Sequence, residues 1–246
     1  MTQPALMGTP VCVPTPDGAC DAYFTAPAQG QHPAVLIWPD IFGLRPAFQD
    51  MAQRLAAAGH AVLVVNPFYR QLPAPTASQG AATPFPEVRP LKAALTTAML
   101  DTDAHALLAW LAARPEVAPQ ARMGVVGYCM GGSMAVRTAA AEPARLGAVA
   151  SFHGGQLVTA ADDSPHRLIA RTSARFLFGV ATDDDAQDPE AKQALREALD
   201  AAQRAGEVEV YPANHGWCPP DARAHDPVQA ERAWARLLAL LHSALP

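Results

Sequence analysis

Short, uninterrupted apolar runs alternate with longer stretches of helical spacing, and this alternation restricts the chain more than any other feature. The runs fall at 34–38 (AVLIW), 60–66 (HAVLVVN), 122–126, 146–152, 175–180 and 208–211. Continuous β-branched runs of this length suit strands covered on both faces. Helical patterns lie between them at about 46–58, 102–113, 130–141, 189–205 and 227–242. Asp188-Pro189 and Asp226-Pro227 each put a capping residue before a proline, as at a helix start. The expected class is α/β: a mostly parallel sheet with helices on both faces. The segment 19–25 adds an antiparallel strand near one edge.

The 246 residues suit one domain spanning 1–246 with a sizeable core. Half are hydrophobic and 17% are charged, which excludes a disordered chain. A formal net charge of −5 with no basic stripe argues against nucleic-acid binding. A single local Arg can still hold an anionic small molecule. Cys12, Cys20, Cys129 and Cys218 form no C-x-x-C pair and no metal-like cluster, and read as reduced thiols of a cytoplasmic protein. The start MTQPALMGTP has no leader-like pattern. No apolar run approaches the roughly 18 residues of a membrane span. The segment 69–90, rich in Pro, Ala, Thr and Gln, is long for a connection. It reads as a lid or substrate-binding loop, or equally as an insertion without chemical work.

The sharpest motif is Gly127-Tyr128-Cys129-Met130-Gly131-Gly132, between a strand and a helix. A nucleophile on such a tight turn projects from the carboxyl end of a sheet. The flanking glycines have no Cβ to block the turn. The thiolate is the attacking form of cysteine, and the following helix N-terminus favours negative charge. The competing interpretation is an inert buried cysteine that packs a helix on a strand. Ser133 lies a full turn into the helix and reads as packing.

In α/β-hydrolases the chain order is nucleophile, acid, histidine. The run RFLFGV ends in Ala-Thr-Asp183-Asp184-Asp185, and VEVYP ends in Ala-Asn214-His215-Gly-Trp217. Both groups lie beyond strand ends, where open parallel sheets bind ligands. His215 is the expected base and later acid, oriented by an aspartate. Asp184 is the first choice and Asp185 the second, and any of the three can instead cap the helix near Pro189. His153 ends the run GAVASFH on the same side and can line the pocket.

These residues resemble the dienelactone hydrolase family (carboxymethylenebutenolidases and relatives). The resemblance runs from about Ala34 to Trp234, on Trp38-Pro39-Asp40-Ile41-Phe42-Gly43, Asn66-Pro67-Phe68-Tyr69-Arg70, the Cys129 motif, the aspartate cluster and Asn214-His215-Gly216-Trp217. It implies a single-domain, cofactor-free hydrolase with a Cys-His-Asp triad and an oxyanion hole from the N–H groups of Ile41 and Met130. Where the family often has a Glu that helps generate the thiolate, this chain has Asp40, one methylene shorter. Dienelactone-cleaving members carry an Arg shortly after the histidine. Here none follows until Arg223, at a different spacing, and Arg89 or Arg70 stands as an alternative anion clamp. Phe42, Tyr128, Trp217 and Trp38 can form an aromatic pocket or ordinary core.

The expected reaction is hydrolysis of a small-molecule ester or lactone through a thioester on Cys129, without metal or cofactor. A thioesterase or general carboxylesterase fits the same triad. So does a scaffold that binds a small molecule without turnover. The expected assembly is a monomer or a small homo-oligomer.

Overall fold

The computed structural model describes residues 5–245. Residues 1–4 of the MTQPALMGTP start and residue 246 lie outside them. The strands are β1 (Leu6–Thr15), β2 (Gly18–Pro27), β3 (Ala34–Trp38), β4 (Ala61–Val65), β5 (Met123–Tyr128), β6 (Leu146–Phe152), β7 (Arg175–Ala181) and β8 (Gly206–Tyr211). They form one eight-stranded sheet in the order β1-β2-β4-β3-β5-β6-β7-β8. From β4 across to β8 all neighbours are parallel, while β2 is antiparallel to both β1 and β4.

Helices α1 (Pro46–Ala57), α2 (Phe85–Ala93), α3 (Thr97–Ala112), α4 (Met130–Ala141), α5 (Pro165–Leu168), α6 (Thr182–Gln187), α7 (Ala191–Ala201) and α8 (Pro227–Ala244) complete the chain. Successive side chains of a strand point to opposite faces. Val35 and Ile37 of β3 therefore join Phe48, Leu55, Leu237 and Leu241 of α1 and α8. Leu36 and Trp38 join Leu107, Leu111, Met134 and Leu195 of α3, α4 and α7. Both faces of the central strands need apolar residues, which is why β3, β4, β5 and β6 are buried throughout.

The topology locates the site. β3 lies between β4 and β5, so the chain leaves β3 to one side and later returns on the other. Loops from the carboxyl ends of β3 and β5 diverge there and open a crevice. The β3 loop carries Asp40 and Ile41, and the β5 loop is Cys129 itself.

Several expectations need correction. The antiparallel segment at 19–25 is longer, and a further strand, β1, forms the edge beyond it. Pro10 and Pro14 make β1 read as a loop, yet an edge strand tolerates proline because one row of its N–H groups has no partner to lose. The region 69–90 is not structureless, since α2 begins within it and a short 3-10 turn spans Gly80–Ala82. Pro86 sits in the first turn of α2, where a missing N–H costs nothing. Helix α3 starts earlier than 102, because the Thr96 hydroxyl caps it by accepting the Met99 N–H. Asp188 caps no helix start: it ends α6, and α7 begins at Ala191. Asp226 does cap α8, accepting the N–H groups of Val228 and Gln229.

Leu241 seats α8 on the sheet against Gly124, where an added Cβ would lie 2.7 Å from its Cδ2. Neighbours held by eight strands cannot collapse into the space that truncation leaves. Leu241→Ala is expected to cost about 2–5 kcal/mol of folding stability, measured by urea denaturation.

Candidate active site

Cys129 is the single residue between β5 and α4, with φ 54° and ψ −119°. A non-glycine residue with positive φ is strained and must be held by its surroundings. Its N–H donates to the Phe152 carbonyl and to His153 Nδ1, both at 3.1 Å. Its carbonyl accepts the N–H groups of Gly132 and Gly155, both at 3.0 Å. Contacts that leave no room for a side chain close the turn. A Cβ on Gly127 would lie 1.9 Å from the Gly131 carbonyl oxygen, and one on Gly131 would lie 2.3 Å from that of Trp38. Ser133 donates to the Met130 carbonyl inside α4, as a packing residue.

His215 follows β8, and β7 runs directly into α6, which carries the three aspartates in its first turn. Acidic residues are favoured there by the helix dipole. Each aspartate has a different partner. Asp183 Oδ1 accepts the His215 backbone N–H at 2.8 Å. Asp184 takes His215 Nδ1 at 2.8 and 3.0 Å. Asp185 pairs with Lys192 at 2.7 Å. Burial alone would push the His215 imidazole down. Its hydrogen bonds to Asp184 and to Cys129, with their charges, outweigh burial and hold it up at about 10.

His153 behaves oppositely. It is fully buried, and burial pushes its imidazole well below its ordinary value, helped by the nearby His215. Its Nδ1 accepts the Cys129 N–H, so the proton of the neutral ring sits on Nε2. The ring lies 5.0 Å from those of His215 and Trp217.

Cys129, His215 and His153 border a cavity of about 250 Å³ together with Asp40, Ile41, Phe42, Ala81, Phe85 and the segment 222–224. Phe42 is therefore on its wall. Ala81 and Phe85 bring the 69–90 segment to the pocket, with Phe85 exposed at its mouth. The Ile41 N–H has no acceptor among the described residues. Met130 is the first residue of α4, so its N–H has no partner within the helix.

Three expected site residues lie elsewhere, and a fourth is already engaged. Tyr128 and Trp217 are core: Tyr128 packs on Phe48 and Phe152, and Trp217 stacks on Tyr211. Both aromatic rings are large enough to be claimed by the sheet face beneath the pocket. Arg89 is an exposed residue of α2 away from the lining. Asp40 borders the cavity, but Arg45 grips both of its carboxylate oxygens, at 2.7 and 2.9 Å. The alternative anion clamp Arg70 is spent on Asp17 and Asp103.

Two residues gain importance. Arg223 reaches the pocket despite its spacing, and makes no ion pair among the described residues. Arg45 is almost wholly buried, spanning Asp40 and Asp221. Its carboxylate partners outweigh burial and keep it a cation. A signal for Arg45 existed: a cation at the start of α1 opposes the helix dipole, and must be held there by something else.

Comparison with known proteins agrees with this geometry. The model of the "Dienelactone hydrolase family" matches residues 20–245. A Synechocystis protein named "Putative carboxymethylenebutenolidase" is 26% identical, over 96% of this chain and 97% of its own. A "Carboxymethylenebutenolidase" from a Pseudomonas species is 26% identical, over 93% of this chain and 92% of its own. The crystal structure of a "Putative Dienelactone Hydrolase" from Klebsiella pneumoniae superposes with a TM-score of 0.84 at 24% identity, covering 97% of this chain and 99% of that one. The fold is that of the α/β-hydrolases, and the chain belongs to the dienelactone hydrolase family.

Proposed function

We propose that this chain is a cysteine-dependent hydrolase that opens an ester or lactone bond of a small molecule through a thioester on Cys129. One observation carries the reading. His215 bonds Asp184 through Nδ1 and borders the same cavity as Cys129, which sits on a strained elbow.

The steps follow from that arrangement. The Cys129 thiolate attacks the carbonyl carbon, and the C–S bond forms as the carbonyl π electrons move to oxygen. The N–H groups of Ile41 and Met130 receive the oxyanion, each donor worth roughly 2.7–4 kcal/mol in comparable sites. The intermediate collapses, the C–O bond breaks, and the His215 imidazolium protonates the leaving oxygen. Neutral His215 then takes a proton from water, which attacks the thioester. Thiolate and imidazolium are restored as the acid leaves. Asp184 keeps the imidazole in one tautomer and stabilises its cation. The family's relatives bear the name carboxymethylenebutenolidase, and an ester or lactone with an anionic group fits Arg223, a cation of the pocket wall with no ion pair among the described residues.

Cys129→Ala is expected to lower ester and lactone hydrolysis by roughly 10³-fold or more, in initial rates at saturating substrate. Undiminished turnover in that variant would refute the mechanism.

Asp184 helps raise His215 to about 10, so the imidazolium persists through neutral pH and is lost only as pH rises through that value. In Asp184→Asn the ring-proton NMR titration of His215 is expected to move to lower pH. An unmoved midpoint would remove Asp184 from the site.

Arg223→Gln is expected to raise KM for a carboxylate-bearing ester and to leave KM for its methylated counterpart unchanged. Equal effects on both would show that Arg223 reads no charge.

A further inference from the structure

Arg45 uses every hydrogen-bonding group it has. Nη1 donates to Asp40 Oδ1 at 2.7 Å and to the Gly43 carbonyl at 3.2 Å. Nη2 donates to Asp40 Oδ2 and Asp221 Oδ1, both at 2.9 Å. Nε donates to Asp221 Oδ2 at 2.6 Å. A guanidinium has five N–H donors, so none remains. Its carbon sits 4.8 Å from the Phe48 ring centroid and 5.7 Å from that of Phe42. A planar fork between two carboxylates is geometry that a lysine ammonium cannot copy.

The three segments joined here are three walls of the pocket. Asp40 begins the β3 loop, and its Oδ1 also accepts the Phe42 N–H at 2.9 Å, while its carbonyl accepts that of Gly43 at 2.9 Å. Ile41 lies inside this tightened turn, its own N–H unspent. Asp221 belongs to the loop after His215, just before the pocket residues 222–224. The same carboxylate faces Gly80 and accepts the Ala81 N–H at 3.4 Å, on the 69–90 segment.

We propose that Arg45 is a positioning residue: by holding Asp40 and Asp221 together it fixes the Ile41 N–H at the oxyanion position. The role rests on the proposed acyl transfer. It extends that reading to a residue that touches neither substrate nor thiol. An oxyanion donor works only when it is aimed beforehand at the site where charge develops. The Ile41 N–H belongs to a loop, and loops move unless something holds them. With both oxygens of Asp40 bonded to Arg45, the carboxylate serves as the anchor of that loop.

Two reactions at Cys129 separate this role from its rivals. Ester hydrolysis passes through an oxyanion. Alkylation by iodoacetamide does not, because the thiolate displaces iodide from carbon and no carbonyl charge develops. Alkylation also counts competent sites, so kcat is expressed per alkylatable Cys129 and a loss of folded protein does not register. In Arg45→Lys, kcat for a neutral ester is expected to fall about 10²-fold. KM and the alkylation rate should stay at wild-type values. Asp221→Asn, which keeps the Asp40 contact, should show a smaller loss of kcat with the same unchanged alkylation, and it serves if Arg45→Lys does not fold. A wild-type kcat in the variant that folds would overturn the role. So would an alkylation rate that falls in step with kcat, since the pair would then act on the nucleophile. Cys129→Ala tells the two levels apart. If it hydrolyses like wild type, the acyl-transfer reading fails and takes this role with it. If it is inert while Arg45→Lys keeps full kcat, only the role of Arg45 fails.

Discussion

Around Cys129, backbone meets backbone with no side chain between. Gly131, in the first turn of α4, lies directly on the carbonyls of Trp38 and Pro39, and Gly127, one residue before the end of β5, meets the Gly131 carbonyl. Any Cβ at either position would overlap a backbone oxygen that the sheet does not let move. This close approach leaves Cys129 no relaxed backbone conformation, and it also carries the β3 loop to the start of α4. The β3 loop, with the unspent N–H of Ile41, thus lies beside the start of α4 because the glycine there lets it. Four backbone hydrogen-bonded contacts at Cys129 offset the strain of its positive φ.

The electrostatics at that point depend on two histidines whose ring centres are only 5.0 Å apart and whose charge states diverge. His215 has a carboxylate on Nδ1 and Cys129 as its other neighbour, so its cation is stabilised despite burial. His153 has only a backbone N–H on Nδ1 and no carboxylate, so burial keeps it neutral. A second cation at His153 would repel the imidazolium of His215. It would also have no lone pair left for the Cys129 N–H. One ring therefore serves as the titrating group and the other as a fixed support for the elbow.

What could be read from the residues follows a physical division. The parallel half of the sheet was legible because strands buried on both faces must be apolar at every position, and 34–38 and 146–152 stand out without pairing information. Edge strand β1 was not, since its composition follows solvent rather than a core. Cys129, Asp184 and His215 were legible because each sits where a strand ends, a position that sequence periodicity marks. Tyr128 and Trp217 read either as pocket aromatics or as core, and burial, which no local pattern fixes, puts both in the core. Arg45 and Arg223 were under-weighted for one reason: their importance comes from loops distant in sequence, 40–45 meeting 219–224, and no local pattern encodes that contact.

That loop-to-loop contact also sorts the charges at the pocket. Two carboxylates, Asp40 and Asp221, share one guanidinium, so the acidic side of the cavity is already neutralised in part and its geometry fixed. Arg223, two residues beyond Asp221, is left with no carboxylate of its own. Arg45 engages both Asp221 oxygens, and Arg223 lines the cavity without an ion pair among the described residues. A chain without the usual arginine just after its histidine thus still presents a positive charge there. The buried bridge that ties the β3 loop to the loop after His215 and the charge at the rim thus lie at the same wall of the pocket.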